Sequence, residues 1–170
     1  MDEPPSTGVL DVRVVAADEQ GDVAVDVDRW QQLAAAVIRA EEARGELTLT
    51  FVDRDEMHAL NREHMGVDGP TDVLSFPLDA ADTAVPAGVP VLLGDVVVCP
   101  AVAAAQASEH AGTLDDELAL LVVHGVLHVL GHDHSKDTER ARMQSREREL
   151  LERHYWHGPA PTGFRQEHAQ

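Results

Sequence analysis

Four histidines lie within eleven residues of the sequence, in the segment His124-Gly-Val-Leu-His128-Val-Leu-Gly131-His132-Asp-His134. His124 and His128 are four residues apart, so on a helix their rings project from one face, one turn apart. Gly131 can end that helix in the left-handed conformation and turn the chain so that His134 reaches the same point. Three neutral imidazoles suit Zn²⁺ and leave a fourth position open, as in catalytic zinc sites. The segment therefore predicts one zinc ion per chain, held by His124, His128 and His134.

Two histidines at this spacing are a weak signal by themselves, because such pairs are more often coincidental or satisfied core features than metal ligands. The third histidine, placed just after a glycine, strengthens the metal hypothesis. A two-histidine face buried in the apolar stretch Leu118–Leu130 would otherwise need hydrogen-bond partners that a metal makes unnecessary. We therefore prefer metal binding as the interpretation.

The residue after the first histidine indicates which chemistry such a metal would do. Zinc peptidases with the pattern His-Glu-x-x-His use the glutamate as general base, and here that position is Gly125. Glycine instead allows another group to pack or bind very close to the helix. Zinc can still lower the pKa of its bound water to about 7 and polarise a phosphoryl oxygen.

Hydrophobic periodicity predicts the elements that must position these residues. Strands are expected at 10–16, 46–53, 73–76 and 92–99, with a weaker candidate at 23–27; helices are expected at 28–44, 53–65, 100–112, 114–130 and 136–154. Asp28 and Gly45 are predicted to cap the first helix. Asp53 or Asp55 is predicted to start the second helix and Gly66 to end it, and Thr113 with Asp116 is predicted to cap the fourth. Residues 79–90 are predicted to be a loop rich in proline, alanine and glycine.

This pattern predicts an α+β fold: a single domain in which a mixed β-sheet packs with helices and the zinc site lies at the end of a central helix. Residues 1–9 are predicted to be a flexible N-terminus. The metal-dependent hydrolase domain is expected over residues 10–154, followed by a disordered tail at 155–170.

Composition limits the functional classes. The chain has 170 residues, no apolar run long enough to span a membrane, no N-terminal pattern of a secretory signal, and one cysteine, Cys99. A cytoplasmic protein without membrane contact is expected. The net charge of −18 opposes nucleic-acid binding unless cations cluster or a metal supplies positive charge. The densest basic run, at 140–153, alternates with glutamates and predicts a solvated helix with ion pairs.

Four segments in order resemble the motifs of the YbeY family of rRNA-maturation endoribonucleases. They are Leu60-Asn61-Arg62, the stretch PTDVLSFP at 70–77, the stretch LGDVVVCP at 93–100, and HGVLHVLGHDH at 124–134. The likeness extends over about residues 10–151. It implies a single-domain α+β metalloprotein with zinc on His124, His128 and His134.

The same resemblance implies a function and partners. The family acts in the bacterial cytoplasm as a metal-dependent, single-strand-specific endoribonuclease in 16S rRNA 3′-end maturation and ribosome quality control. Its implied partners are ribosomal RNA, a small-subunit ribosomal protein and a ribosome-assembly GTPase.

Several further residues are candidates for the site. Asp133 could orient a ligand imidazole, or it could be a turn residue bonded to its own backbone. Thr71, Asp72 and Ser75 could line the cleft, although Thr71 and Asp72 could equally start and cap a strand. The catalytic set is thus His124, His128 and His134 through zinc, with Asp133 beside them.

The sequence also departs from the family pattern. Met65 stands where many relatives have an arginine thought to hold RNA, and Arg62, one turn earlier on a helix, could replace it. His132 stands at the position where the family pattern has a tyrosine before the aspartate.

Two other functions remain open from the sequence. One is a ribosome-assembly factor whose zinc is mainly structural and whose work is protein binding, which the acidic charge favours. The other is a zinc hydrolase of another substrate, such as a peptide.

Overall fold

Four strands form one sheet in the computed structural model, which describes residues 12–78, 91–132 and 136–166. The strands are β1 (Val12–Asp18), β2 (Gly45–Phe51), β3 (Val73–Pro77) and β4 (Leu92–Val98), in the spatial order β1-β2-β4-β3. β1, β2 and β4 run parallel, and β3 pairs antiparallel with β4. This is the mixed sheet expected from the sequence.

Five helices accompany the sheet in the described residues: α1 (Val27–Ala40), α2 (Arg54–Met65), α3 (Pro100–Gln106), α4 (Leu114–Val129) and α5 (Asp137–His154). α4 packs against β3 and β4 and is also contacted by α1, α3 and α5. The predicted α+β single-domain fold with a central helix is therefore confirmed. No helix in these ranges is long and apolar enough to cross a bilayer.

The capping signals of two helices are confirmed. The Asp53 side chain accepts a hydrogen bond from the Glu56 amide at 2.8 Å, and Gly66 ends α2 with φ at 70°. Thr113 Oγ1 accepts from the Asp116 amide at 3.1 Å at the start of α4. Short polar residues and glycine at these places determine the ends of both helices.

The start of α1 differs from the prediction. The weak strand expected at 23–27 is absent from the structure, and the helix already begins at Val27. Asp26, not Asp28, is the cap, because its carboxylate accepts from the Arg29 amide at 3.3 Å. The Gln20 side chain accepts from the amides of Asp22 and Val23, so this stretch is held as a turn instead of pairing with the sheet.

Gly45 does not cap the end of α1, contrary to the sequence prediction. The helix ends at Ala40, and Gly45 is the first residue of β2 with φ at 135°. A Cβ at this position would lie 2.6 Å from the Val91 carbonyl oxygen. Glycine is therefore required at this position because the backbone at Val91 lies too close for a side chain, and helix periodicity does not reveal such a contact.

Gly94 is a point of close approach between β4 and β3. The pairing of β2 with β4 shifts register here, since Glu46 pairs with Leu92 and Leu47 with Gly94. A Cβ on Gly94 would lie 2.5 Å from the Phe76 carbonyl oxygen, so β3 could not pair this closely with a larger residue.

α4 lies at the centre of the hydrophobic core. Its residues from Leu118 to Val123 are all buried, whichever side of the helix they face. A helix that is apolar all round needs cover on every side, and the sheet together with α1, α3 and α5 provides it. The helix that carries the histidines is thus held rigidly.

The C-terminal segment, residues 155–166, is packed rather than disordered, in contrast to the tail predicted for 155–170. Trp156 Nε1 donates to Asp116 Oδ1 at 3.1 Å, and the Arg165 amide donates to the His110 carbonyl at 2.9 Å. Phe164 is buried and packs edge-on against Trp156, with ring centroids 4.8 Å apart. The segment is held by aromatic side chains, and its sequence lacks the hydrophobic periodicity from which a helix or strand is predicted. Residues 1–9 and the loop at 79–90 lie outside the described residues.

Candidate metal centre and substrate pocket

His124 and His128 project from the same face of α4, as their spacing predicts. Their ring centroids are 5.9 Å apart, and both side chains open onto one surface pocket. α4 ends directly after them: Gly131 has φ at 107°, and the amides of Gly131 and His132 donate to the carbonyls of His128 and Leu127. The chain therefore turns sharply beside the histidine pair, as expected from Gly131.

A buried carboxylate contacts the first histidine. Glu147 Oε2, on α5, lies 2.6 Å from His124 Nδ1, and only 1% of the Glu147 side chain is exposed. Metal-binding histidines commonly give their second ring nitrogen to a carboxylate, which fixes the orientation of the imidazole. With Nδ1 engaged by Glu147, a metal ion would be coordinated through Nε2 of His124.

The two histidines that the structure describes are suitable ligands for zinc. Two imidazoles on one helix face, one of them oriented by a carboxylate, are typical zinc ligands. Within the described ranges no group of three histidine, cysteine, aspartate or glutamate side chains converges on one point. The third expected ligand, His134, and its neighbour Asp133 lie outside those ranges. The full ligand set thus remains a prediction.

The pocket beside the histidines has a volume of about 450 Å³. Small-molecule sites are usually of this order, roughly 300–1,000 Å³. Its other walls come from the end of α2, the turn after it and strand β3. The lining residues include Asn61, Met65, Thr71 and Ser75.

Gly125 lets the sheet press directly on the helix between the two histidines. A Cβ on this residue would lie 2.6 Å from Val96 Cγ1 and 3.4 Å from Ser75 Oγ. Ser75 Oγ donates to the Gly125 carbonyl at 3.1 Å. The close approach expected at Gly125 is therefore made by β4 and β3, which fixes the pocket wall relative to the histidines.

Of the predicted cleft residues, Thr71 and Ser75 line the pocket and Asp72 does not. Asp72 is buried, its Oδ1 accepts from the Val73 amide at 2.7 Å, and its Oδ2 accepts from Gln106 Nε2 at 2.7 Å. Thr71 Oγ1 also donates to Asp72 at 3.3 Å. The structure thus favours the alternative interpretation of Asp72 as the cap at the start of β3, because its carboxylate turns inward.

Arg62 lies outside the pocket lining. Its side chain is exposed, with Nε 3.9 Å from Asp68 Oδ1. A hydrogen bond from His58, with smaller contributions from the charges of His58 and Arg62, lowers the pKa of Asp68. A negative charge therefore stands beside Arg62. Met65, at the family's arginine position, does line the pocket and is half exposed.

The basic run on α5 is largely paired, as predicted for a solvated helix. Arg146 Nε lies 2.6 Å from Glu41 Oε2, and Arg146 Nη1 lies 2.9 Å from Glu149 Oε1. Glu41 also contacts His132 Nε2 at 3.1 Å. His132, at the family's tyrosine position, is thus tied to the end of α1.

Sequence reasoning missed three residues of this region. Glu147 looked like one more glutamate in a charged helix, and Gln166 fell in the predicted tail. Asn61 is buried, and its Nδ2 donates to the Gly69 carbonyl at 2.8 Å, which holds the turn that lines the pocket. Only Asn61 carried a signal, because it lies in the Leu60-Asn61-Arg62 motif.

Comparison with known proteins agrees with the motifs. The family model described as Endoribonuclease YbeY matches residues 15–155, so the chain belongs to the YbeY endoribonuclease family. An Endoribonuclease YbeY of Pelotomaculum thermopropionicum is 41% identical over 82% of this chain and 95% of its own length. That of Thermobifida fusca is 42% identical, over 79% of this chain and 89% of its own.

A solved structure has a similar fold. The solution structure of TM1509 from Thermotoga maritima superposes with a TM-score of 0.59 at 27% sequence identity, and the match covers 82% of this chain and 87% of that protein. The family resemblance of the four motifs is therefore confirmed.

Proposed function

We propose that this protein is a zinc-dependent, single-strand-specific endoribonuclease of the cytoplasm that acts in 16S rRNA 3′-end maturation and ribosome quality control. The observation that carries the proposal is the histidine pair of α4. One of its rings is supported by a buried carboxylate, and both rings open onto a pocket in a chain of an endoribonuclease family.

His124 and His128 would hold the metal, with His134 as the third ligand. When bound there, zinc would supply a Lewis acid for a phosphodiester oxygen. Glu147 orients the imidazole of His124, and Asp133 is proposed as a further orienting carboxylate. These side chains hold the ligands in position before substrate arrives, so little reorganisation is needed during the reaction.

The pocket wall would position the RNA strand. Ser75 is fixed against α4 by its hydrogen bond to the Gly125 carbonyl, and Thr71 is fixed by the buried Asp72. The lining contains no lysine or arginine among the described residues. The half-exposed Met65 offers an apolar surface on which a base can lie. Unpaired bases are accessible to such a surface and paired bases are not, which supports the proposed preference for single strands.

The acidic surface supports protein partners as well. A net charge of −18 suits basic proteins, and the family resemblance implies a small-subunit ribosomal protein and a ribosome-assembly GTPase. The same charge favours the second candidate function, an assembly factor that works by protein binding with a mainly structural zinc. The histidine pair beside a pocket favours the nuclease, because a purely structural site needs no such opening.

Replacing one ligand separates these functions. His128→Ala should reduce cleavage of single-stranded RNA by at least about a hundredfold while the protein stays folded, because the proposed metal is lost. His58→Ala, a histidine on α2 outside the pocket, is the matched control and should cleave like the wild type. Cleavage of unpaired and paired RNA is measured beside the metal content and the far-UV circular dichroism.

Other outcomes would redirect the proposal. Full activity of His128→Ala would exclude the metal mechanism. Loss of the fold on chelation, together with no cleavage by the intact protein, would favour the assembly factor, and cleavage of peptides but not RNA would favour the other zinc hydrolase.

A further inference from the structure

The carboxylate behind His124 is itself held by a residue far along the chain. Gln166 Nε2 donates to Glu147 Oε1 at 3.1 Å, while the other oxygen, Oε2, contacts His124 Nδ1. Each oxygen of Glu147 therefore has its own partner. Such a pair of contacts fixes the rotation of the carboxylate as well as its position.

The amide of Gln166 is fixed in turn. Its Nε2 also donates to the Gln144 carbonyl at 2.7 Å, so two acceptors on α5 define the orientation of the amide. The residues just before it are anchored: the Arg165 amide donates to the His110 carbonyl, and Phe164 is buried. Gln166 therefore reaches Glu147 from a segment that is itself held against α4.

We infer that the C-terminal segment is part of the metal centre: Gln166 is a positioning residue that holds the Glu147 carboxylate on Nδ1 of His124 and thereby sets the metal affinity. This inference rests on the proposed function. The family model matches residues 15–155, so Gln166, the residue that would hold Glu147, lies outside the matched part of the chain.

The chemistry follows from the two nitrogens of the imidazole. When Nδ1–H donates to Glu147, the hydrogen is kept on Nδ1 and Nε2 is the coordinating nitrogen. Without Gln166 the carboxylate can rotate or take a different partner, and His124 then samples both tautomers and several ring orientations. Metal binding must select the correct one, which weakens the apparent affinity.

Zinc affinity of the full-length protein tests the inference. Metal-free protein competes with a chromogenic chelator for zinc at constant pH. Gln166→Ala should bind zinc about three- to tenfold more weakly, and Glu147→Gln about 10- to 100-fold more weakly, as for other residues that support metal ligands. The matched controls are Gln32→Ala, exposed on α1, and Glu149→Gln, on the solvent side of α5. Both should stay within about twofold of the wild type.

A second measurement separates positioning from a general effect on stability. In metal-free wild type, ¹⁵N spectra should show His124 as the Nδ1–H tautomer, and in Gln166→Ala a mixture, with the melting temperature little changed. Wild-type zinc affinity together with an unchanged His124 tautomer in Gln166→Ala would overturn the inference. If the wild type binds no zinc, the proposed function fails, while the tautomer of His124 still decides whether Gln166 positions it.

Discussion

The two ends of α4 are built from the same three kinds of side chain. At the N-terminal end, Glu117 accepts from Gln106 Nε2 at 2.8 Å and contacts His110 Nδ1 at 3.3 Å. Toward the C-terminal end, Glu147 contacts His124 Nδ1 and accepts from Gln166 Nε2. Both glutamates are buried almost completely, with exposed side-chain fractions of 0% and 1%.

The ends differ in which member belongs to the central helix. Glu117 is part of α4, and its partners come from the chain just before the helix, including the Ala111 amide at 3.1 Å. At the other end the histidine belongs to α4, and the glutamate comes from α5. Only that histidine opens onto the pocket with a second histidine beside it. A buried glutamate–histidine contact therefore does not by itself indicate a functional site. What indicates one is that the histidine opens onto a pocket.

Glu117→Ala should have the largest effect on the stability of the fold. It leaves the Ala111 amide without its buried acceptor and leaves Gln106 Nε2 with Asp72 as its one remaining acceptor, and we expect a loss of about 3 kcal/mol in the free energy of unfolding. Zinc affinity of the folded protein should be unchanged, because this end of α4 does not face the pocket. Urea unfolding of the metal-free protein and chelator competition measure the two quantities.

A control variant and a milder variant show whether the effect of Glu117→Ala is specific to the buried carboxylate. Glu109→Ala changes an exposed glutamate in the 3₁₀ turn Ala107–Glu109, which follows α3, and should lower the free energy of unfolding little. Glu117→Gln should unfold more easily than wild type but remain folded enough to titrate with zinc. If Glu117→Gln weakened zinc binding as strongly as Glu147→Gln, the functional difference between the two ends would disappear.

Gly125→Ala tests the contact between α4 and the sheet that lies between these ends. The new methyl group would clash with Val96, while alanine raises helix propensity by about 1 kcal/mol, so we expect a net loss of about 1–2 kcal/mol. The double variant with Val96→Ala removes the obstructing atoms. It should be more stable than the sum of the two single losses implies. Strict additivity of the losses in urea unfolding would show that Val96 is not the obstacle.

Local signals in the sequence were sufficient for much of the fold. Thr113 and Asp53 capped their helices as predicted, and Gly66 and Gly131 ended theirs, because such residues act within a few positions of themselves. The histidine pair was equally accessible, since a spacing of four is a property of one helix.

Three of the residues that sequence reasoning missed or misinterpreted act at long range. Glu147 meets a histidine 23 positions away, and Gln166 lies 19 positions beyond that glutamate. Gly45 was interpreted as a helix end, whereas its actual constraint is the approach of Val91, which lies just before the distant strand β4. No periodicity or cap reports such contacts, since they exist only once the elements have packed.

The C-terminal segment connects the two ends of α4, and alkaline pH tests that connection. Tyr155 follows α5, and burial, with a hydrogen bond to Asp116 and its charge, raises the pKa of the Tyr155 phenol above its usual 10. In the unfolded chain the phenol ionises near pH 10, while in the folded protein it keeps its proton. The stabilisation is therefore complete below pH 10 and is lost as the pH rises above it.

Tyr155→Phe should remove this loss, which gives the smallest of the expected effects. Tyr155 is the one tyrosine of the chain, so the wild-type stability curve should fall more steeply than that of the variant above pH 10, by less than the maximum of about 1.4 kcal/mol per pH unit for one group. Burial also raises the pKa of the Cys99 thiol from 9.0, but both proteins contain Cys99, so its contribution cancels in the comparison. Urea unfolding from pH 8 to pH 11 measures the difference. Parallel curves would mean that the phenol is solvated, and that the C-terminal segment does not hold the N-terminal end of α4 in the way it is proposed to hold Glu147.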